Sequence, residues 1–351
     1  MFFDSNKVIG LDIGTSSIKI VELDVGQRKT TVMAFGVAPT PAGTIAGGEI
    51  IDPITLSQAI KSLIEKINTK RKHASVGIWG TAVIVKRVGL PKMDLQLLDE
   101  QIRWEAEQYI PFDIQEINLE YHVLNSSQAS ADTMDILLVA AKKDLIMNYL
   151  ETVESAGISC SVLDVSSFAL ANCFMKNHPE FNNDTIAVFD IGSGITNFVV
   201  VENGEVVFAR DIPMGGFNYT SDIQKGMGVS VEEAEGLKLD ISLGRPAPEE
   251  LKTIVQSSHE NFCDELNRSL DFFTSTSNQG KIQRIYLTGG GSLMIGLKES
   301  LANLSQLPVE MFNPFHSIQV DKNAIASEYI SQIAPLAAVA VGLGLRKAGD
   351  R

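Results

Sequence analysis

Cysteine is scarce in this 351-residue chain: Cys160, Cys173 and Cys263 form no CxxC pair. That excludes a zinc ribbon or a thioredoxin-type redox pair and predicts free thiols in a reducing compartment. The five histidines form no HxxxH pair, so no helical metal-ligand signature is present. Positive charge is short as well, with 29 Lys and Arg against 43 Asp and Glu for a formal net charge of −14. No basic run is long enough to follow a phosphodiester backbone, and nucleic acid is not an expected partner. The chain does not open with a basic segment leading into an apolar one, which argues against secretion. The longest apolar run near the other end, 333–345, is broken by Pro335, Gly342 and Gly344 and falls short of the ~20 residues of a membrane-spanning helix. A cytoplasmic location is expected, with membrane association only through a partner.

What is present describes an ordinary globular protein, 44% hydrophobic and 21% charged, long enough for two lobes with a core in each. Residues 8–39 align with residues 186–214, and Asp12 falls on Asp190, 178 positions later. Two copies half a chain apart describe a duplicated lobe rather than a solenoid, and paired lobes leave a ligand-sized cleft between them. Each copy reads as strand, glycine turn, strand, second turn, strand; Asn203-Gly204 gives the second copy a strong hairpin signal. A glycine turn inside a hairpin differs from a Walker A loop or a Rossmann fingerprint, both of which run from strand to helix.

Periodicity predicts amphipathic helices over 57–67 and 95–110, the latter stopped by Pro111. An extended acidic stretch over 116–125, a polar loop over 126–132, a strand over 134–141 and a helix from Lys143 to about Ala156 follow. Beyond the second copy, 230–239 and 248–273 read as helices, and 284–292 as a buried strand feeding Gly289-Gly290-Gly291, where backbone can approach a ligand closely.

Triphosphate recognition is within reach of these turns, because the N–H groups of a tight turn converge on an anion. Gly14, Thr15 and Ser16 supply one turn, and Gly192, Ser193 and Gly194 the facing one. Asp12 and Asp190, each at the end of its strand, are placed to hold Mg²⁺ through water, since that ion keeps much of its hydration shell. Lys19 lies beyond the first turn, on the same side as Ser17, where its ammonium can reach a β- or γ-phosphate as a point charge. Thr196 and Asn197 occupy the corresponding stretch of the second copy.

LDIGTSSIKI, FDIGSGITNFVVV and YLTGGGSLMIGL resemble the two phosphate motifs and the adenosine motif of the actin, heat-shock chaperone and sugar-kinase superfamily. The segments VGLPKMDLQLLDEQIRWEAEQYIPFDIQEINLEYHVL and AAKKDLIMNYLETVESAGI narrow the resemblance to the PilM family of type IV pilus assembly, a relative of the division protein FtsA. It covers nearly the whole chain.

The resemblance implies an α/β, actin-like ATPase fold of duplicated ribonuclease H-like lobes with a small FtsA/PilM-type insert. The first lobe would comprise 1–81 and 156–184, the insert 82–155, and the second lobe 185–334 with a subdomain at about 217–280; 335–351 would return to the first lobe. Residues 162–172 and 335–345 would be the two helices connecting the lobes. Mg-ATP is the implied ligand: Asp12, Gly14, Thr15, Ser16 and Lys19 on one side and Asp190, Gly192, Gly194 and Thr196 on the other would hold phosphate and metal. Glu235 and Lys238 would hold ribose and purine; Gly215, Gly216, Gly289, Gly290, Gly291 and Ser292 would border the nucleotide.

One departure concerns turnover. Where many such ATPases carry a Glu or Gln to orient the attacking water, this chain has Ser166 and Ser167, with Asp164 the nearest carboxylate, and slow or absent hydrolysis is expected. The partner the resemblance implies is the cytoplasmic tail of PilN, together with other proteins of the pilus inner-membrane platform, with Trp104, Tyr109, Ile110 and Phe112 as candidate contacts. Self-association is left open. An FtsA-like filament protein, which needs an amphipathic anchor, and a small-molecule kinase, which needs a positioned base, are the alternatives.

Overall fold

The computed structural model describes residues 7–27, 29–125, 132–276, 280–321 and 325–350. The polar loop expected over 126–132 lies outside them except for Asp132. The first lobe opens with β1 (Ile9–Ile13), β2 (Ser17–Val25) and β3 (Thr30–Pro39), an antiparallel meander in which every β1 residue is buried. A small hairpin, β4 (Ile45–Ala46) and β5 (Glu49–Ile50), leads to α1 (Pro53–Ile67). Local chemistry fixes both ends of α1. The Asp52 carboxylate accepts the Thr55 N–H at 3.0 Å, Pro53 fills the first turn, and Asn68 closes the helix at φ 53°. Strand β6 (His73–Ile78) then pairs parallel to β1.

An insert follows: β7 (Val83–Pro91), α2 (Leu95–Ala106), β8 (Ile117–Val123) and β9 (Thr133–Lys142), whose strands form an antiparallel sheet in the order β7-β9-β8. Helix α2 ends at Ala106 rather than Ile110, because the residue before Pro111 is pushed out of helical geometry and the chain turns earlier. The insert's core, built from residues such as Val88, Leu98, Ile102, Ile136 and Leu138, is distinct from that of the lobes. Helix α3 (Lys143–Ser155), by contrast, buries Leu145, Tyr149 and Val153 in the first lobe's core beside Ile60 and Leu63, so the insert's own packing stops with β9.

Strand β10 (Ser159–Val165) pairs parallel to β6 and runs directly into α4 (Ser166–Asn177). The connecting helix expected over 162–172 therefore begins only at Ser166; the preceding four residues complete a sheet. The second lobe repeats the scheme with β11 (Thr185–Ile191), β12 (Thr196–Glu202) and β13 (Glu205–Ile212), followed by α5 (Gly216–Met227), α6 (Val231–Ser242) and α7 (Glu249–Thr276). A Ser230–Glu233 capping box starts α6. Then come β14 (Arg284–Thr288), α8 (Leu297–Ser305), β15 (Val309–Met311), β16 (Gln319–Val320), α9 (Ser327–Ile333) and α10 (Ala338–Gly344). The second connecting helix is thus shorter than 335–345, its first residues forming a 3₁₀ turn at Ala334–Leu336.

The sheets run β10-β6-β1-β2-β3-β16 and β13-β12-β11-β14-β15. In both, an antiparallel meander is extended by parallel strands beside its first member, β1 or β11, so the duplication legible in sequence is a duplication of topology. Helices α4 and α10 cross between the lobes and share one core with Val21, Leu23, Ile186 and Val199. Close approach there requires glycine: a Cβ on Gly342 would strike the Ala169 carbonyl, and one on Gly10 the Ala340 carbonyl.

Candidate functional site

The two hairpins point their turns at each other. In the first, Gly14 N–H donates to the Ser17 carbonyl at 3.1 Å; in the second, Gly192 N–H donates to the Ile195 carbonyl at 2.9 Å. The turns nearly touch, since a Cβ on Gly194 would meet the Thr15 side chain. Between them lies a cleft of about 530 Å³, within the range of small-molecule and cofactor sites.

Lining this cleft are Asp12, Gly14, Thr15, Ser16 and Lys19 from the first lobe and Asp190, Gly192, Ser193, Gly216, Glu235, Lys238 and Gly289 to Gly291 from the second. Lys19 and Asp12 sit directly opposite each other across β1 and β2, and their side chains form a salt bridge of 3.0 Å. Among the described residues Asp190 has no such partner. Burial, reinforced by the Asp12 charge and only partly offset by Lys19, pushes its carboxyl up to about 7. Gly289, at φ 85°, lies so close that any Cβ there would strike the Asp190 carboxylate.

Glu235 and Lys238, one turn apart on α6, are paired at 2.7 Å. The Thr220 hydroxyl donates to Glu235 at 2.6 Å, and the Lys238 ammonium donates to the Gly216 carbonyl at 3.3 Å. This network braces the α6 edge of the cleft against the start of α5. Beyond it, Leu239, Leu243, Leu293, Met294 and Leu336 make an apolar wall. Leu239 and Leu243 are 52% and 70% exposed, an unusual surface for two leucines one turn apart unless a flat apolar group covers them.

Four of the expected residues do not line the cleft but support it. The Thr196 hydroxyl donates to the Met214 carbonyl at 2.8 Å, and the buried Ser292 hydroxyl donates to the Gly289 carbonyl at 2.6 Å. Gly215 packs on the Gly192 and Ser193 carbonyls, and Gly194 faces Thr15. Asp164 stands apart: its carboxylate accepts the Val165 N–H and pairs with Arg346 at 2.9 Å, away from the cleft. Burial raises its carboxyl, while Arg346 and the Val165 N–H work in the opposite sense. Ser166, in contrast, lines the cleft at the start of α4, and its buried hydroxyl has no hydrogen-bond partner. No side chain caps that helix either.

Mg-ATP fits these residues. The carboxylate pair matches a hydrated divalent cation, the glycine turns and the uncapped start of α4 match phosphates, and the apolar wall matches a purine. Of the candidate partner residues, Trp104 is 66% exposed on α2, whereas Ile110 is buried in the insert's core. Tyr109 and Phe112 are half-buried under the ammonium groups of Lys86 and Lys142. Trp79, Leu243, Leu293 and Met294 are site residues that the motifs did not reveal. They come from separate elements, so no local spacing in the sequence marks them.

Residues 10–348 match the family described as Type IV pilus assembly protein PilM. Among solved structures, the chain is similar to one in a PilM-PilN type IV pilus biogenesis complex, at 30% identity and a TM-score of 0.86 over 97% of this chain and 98% of that one. The ethanolamine utilization protein EutJ from Carboxydothermus hydrogenoformans (17% identity, TM-score 0.58, 97% and 89% covered) shares the fold. So does MreB5 of Spiroplasma citri bound to ADP (13%, 0.53, 97% and 95%). Together these likenesses establish a mixed α/β, actin-like fold. The cell division protein FtsA of Bacillus subtilis is 24% identical over 66% of this chain, which spans 57% of that protein's length. FtsA of Streptococcus pneumoniae is 24% identical over 95% of this chain and 82% of its own. Among the described residues no helix is long and apolar enough to cross a membrane.

Proposed function

The chain belongs to the PilM family of type IV pilus assembly proteins, and we propose that it is an ATP-binding adaptor at the cytoplasmic side of the inner membrane. In this reading it holds Mg-ATP between its lobes, hydrolyses it slowly or not at all, and joins the pilus platform by binding the cytoplasmic tail of PilN. The observation that carries the nucleotide half is the convergence of two glycine turns, two carboxylates and Lys19 on one cleft with an apolar far wall. Slow turnover follows from Ser166 and Ser167, since a serine hydroxyl orients water but does not take its proton at neutral pH. Phosphate release from the purified protein should fall well below the enzyme median of about 10 per second. A rate at or above it, abolished by Lys19→Ala, would show that another group activates water.

The adaptor half draws support from the likeness to the solved PilM-PilN complex and from α2. There Leu97 and Trp104 are exposed, 39% and 66%, and share one helical stripe with Gln101, while Gln108 lies in the turn just past the helix end. A short tail, disordered when free, spends affinity on ordering and depends on a few apolar contacts. Trp104→Ala should weaken capture of a synthetic PilN tail at least about tenfold, and Gln101→Glu or Gln108→Glu should weaken it less. ATP affinity should stay unchanged in all three. Tail-induced hydrogen-exchange protection confined to the second lobe would overturn the placement on the insert. A filament-forming role is the second reading, favoured by the FtsA likeness over 95% of the chain; ATP-dependent sedimentation of the purified protein would support it.

A further inference from the structure

The end of the first lobe opposite the cleft is basic in an otherwise acidic protein. Asp12 sits where β1 ends, at the cleft, and Lys7 precedes the start of the same strand. At that far end the backbone of Lys7 bridges to Lys347, the Arg71 guanidinium donates to the Val8 and Leu23 carbonyls, and the Ser159 N–H donates to the Lys72 carbonyl. These contacts gather four distant parts of the sequence. Two shallow adjoining depressions result, lined together by seven Lys and Arg side chains against three carboxylates. The chain as a whole carries −14. The basic run 70–73 is too short to suggest such a surface; the fold completes it with Lys176 from the end of α4 and with Arg346 and Lys347.

The arginines are structurally engaged, Arg71 with Glu22 and Arg346 with Asp164. Lys7 is likewise paired with Asp24 at 3.1 Å, but the other four lysines are not engaged. Lys70, Lys72, Lys176 and Lys347 are exposed, and among the described residues their side chains make no ion pair or hydrogen bond. Like charges gathered on one face repel one another, a repulsion that an anionic surface would relieve.

We propose that this basic face of the first lobe, carrying Lys70, Lys72, Lys176 and Lys347, docks directly on an anionic phospholipid bilayer, with the nucleotide cleft turned away from the membrane. The surface is shallow and dominated by lysine, which suits a diffuse, laterally mobile layer of charge better than a shaped anion needing bidentate arginine. Met33, 38% exposed among the cations, supplies an apolar side chain at the depth of the headgroups. Neither depression is lined by Phe, Tyr or Trp, so single-stranded nucleic acid finds no stacking platform. The contact adds to attachment through a protein partner and does not depend on the nucleotide reading, because it uses none of the cleft residues.

Vesicle flotation of the full chain tests this. Vesicles with about 30 mol % phosphatidylglycerol in phosphatidylcholine should float the protein at low ionic strength, and pure phosphatidylcholine vesicles should not. Binding should fall steeply as salt shortens the screening length. Replacing Lys70, Lys72, Lys176 and Lys347 together with Gln should weaken it at least about a hundredfold, at about fivefold per lysine. A control with Lys225→Gln, Lys252→Gln and Lys281→Gln on the second lobe should bind as the parent does. Unchanged melting and ATP affinity would confirm that the fourfold variant folds. Failure to float on phosphatidylglycerol, equal binding by the fourfold variant, or tighter binding to duplex DNA than to the vesicles would each overturn the proposal.

Discussion

The two hairpins share topology and register yet differ in charge, and two positions across the sheet account for the difference. Lys19 faces Asp12 on one side and Val37 on the other; its counterpart Asn197 faces Asp190 and Asp211. Valine offers an ammonium nothing, so Lys19 turns to Asp12 and pairs with it at 3.0 Å. Asp211 offers a carboxylate, so the Asn197 amide donates to it at 2.7 Å, and Asp190 is left with only the partial offset of Lys19. One half of the cleft is thereby electrostatically settled, while the other carries a carboxyl pushed up to about 7. Duplication supplied the frame, and divergence at two positions made the cleft asymmetric.

The largest break in this comparison should come from Lys19→Met. It removes the ammonium proposed to reach phosphate and leaves Asp12, 7% exposed, without its counter-charge. ATP affinity should fall by about 2–3 kcal/mol, the scale of a charge-assisted contact, and the melting temperature should fall too. Calorimetry and a thermal scan measure both. Asn197→Ala, the matching change in the second lobe, should lower ATP affinity by less than about 1 kcal/mol. Equal losses would mean that the hairpins are functionally equivalent. Next in size is Asp12→Ala, expected to cost Mg-ATP binding about 1–3 kcal/mol; unchanged affinity in a folded variant would remove Asp12 from the metal site.

The hairpins were legible in sequence because their information is local: the glycine turns, the strand alternation around Lys19, and the 178-residue offset need no knowledge of distant partners. Strand β10 was not. Its segment VLDV reads as the start of a helix because the β6 pairing that makes it a strand comes from residues some 85 positions earlier. The apolar wall was hidden for the same reason, with Leu239 on α6, Leu243 just past its end, and Leu293 and Met294 after the triple glycine meeting only in the fold. Asp164 misled by its nearness in sequence to α4, since Arg346, which takes it away from the cleft, enters from the far end of the chain.

A smaller effect should appear in the pH dependence of the unliganded protein. Asp190 has a folded-state pKa of about 7 against an unfolded value near 4. Between these values the folded state binds more protons than the unfolded one, so stability is fully present below about pH 4 and is lost as pH rises through 7. The loss should be smaller where Mg²⁺ stabilises the carboxylate. Asp190→Asn should flatten the melting profile between pH 5 and 8, if about that range is scanned. Building the first lobe's arrangement into the second, Asn197→Lys with Asp211→Val, should flatten it by the opposite route, supplying a cation to an ionised Asp190. A profile unchanged in either variant would assign the titration to another group.

The smallest expected effect reaches across the lobes. Besides Asn197, the Asp211 carboxylate accepts the Gly80 N–H at 2.7 Å, and Gly80 belongs to the first lobe, next to Trp79 at the cleft wall. Trp79 is itself fixed, its indole N–H donating to the Ile13 carbonyl at 2.9 Å. Burial raises the Asp211 carboxyl, with the Gly80 and Asn197 donors pulling in the other direction, so removing this carboxylate trades a desolvation cost for two lost hydrogen bonds. The net destabilisation from Asp211→Ala should therefore be modest, about 1 kcal/mol, and visible as a small drop in melting temperature. The local consequence is more specific. Gly80 at φ 100° sits in a tight turn against Gly47 and Gly48, and once its N–H loses the Asp211 carboxylate as acceptor, its amide should exchange with solvent faster while amides in β1 and β11 stay protected. Bound ATP would tie the same lobes together through the turns, so the acceleration should shrink when nucleotide is added. Unaltered Gly80 exchange in Asp211→Ala would show that α4 and α10 alone set the spacing of the lobes, and that the asymmetry between the hairpins is confined to the cleft.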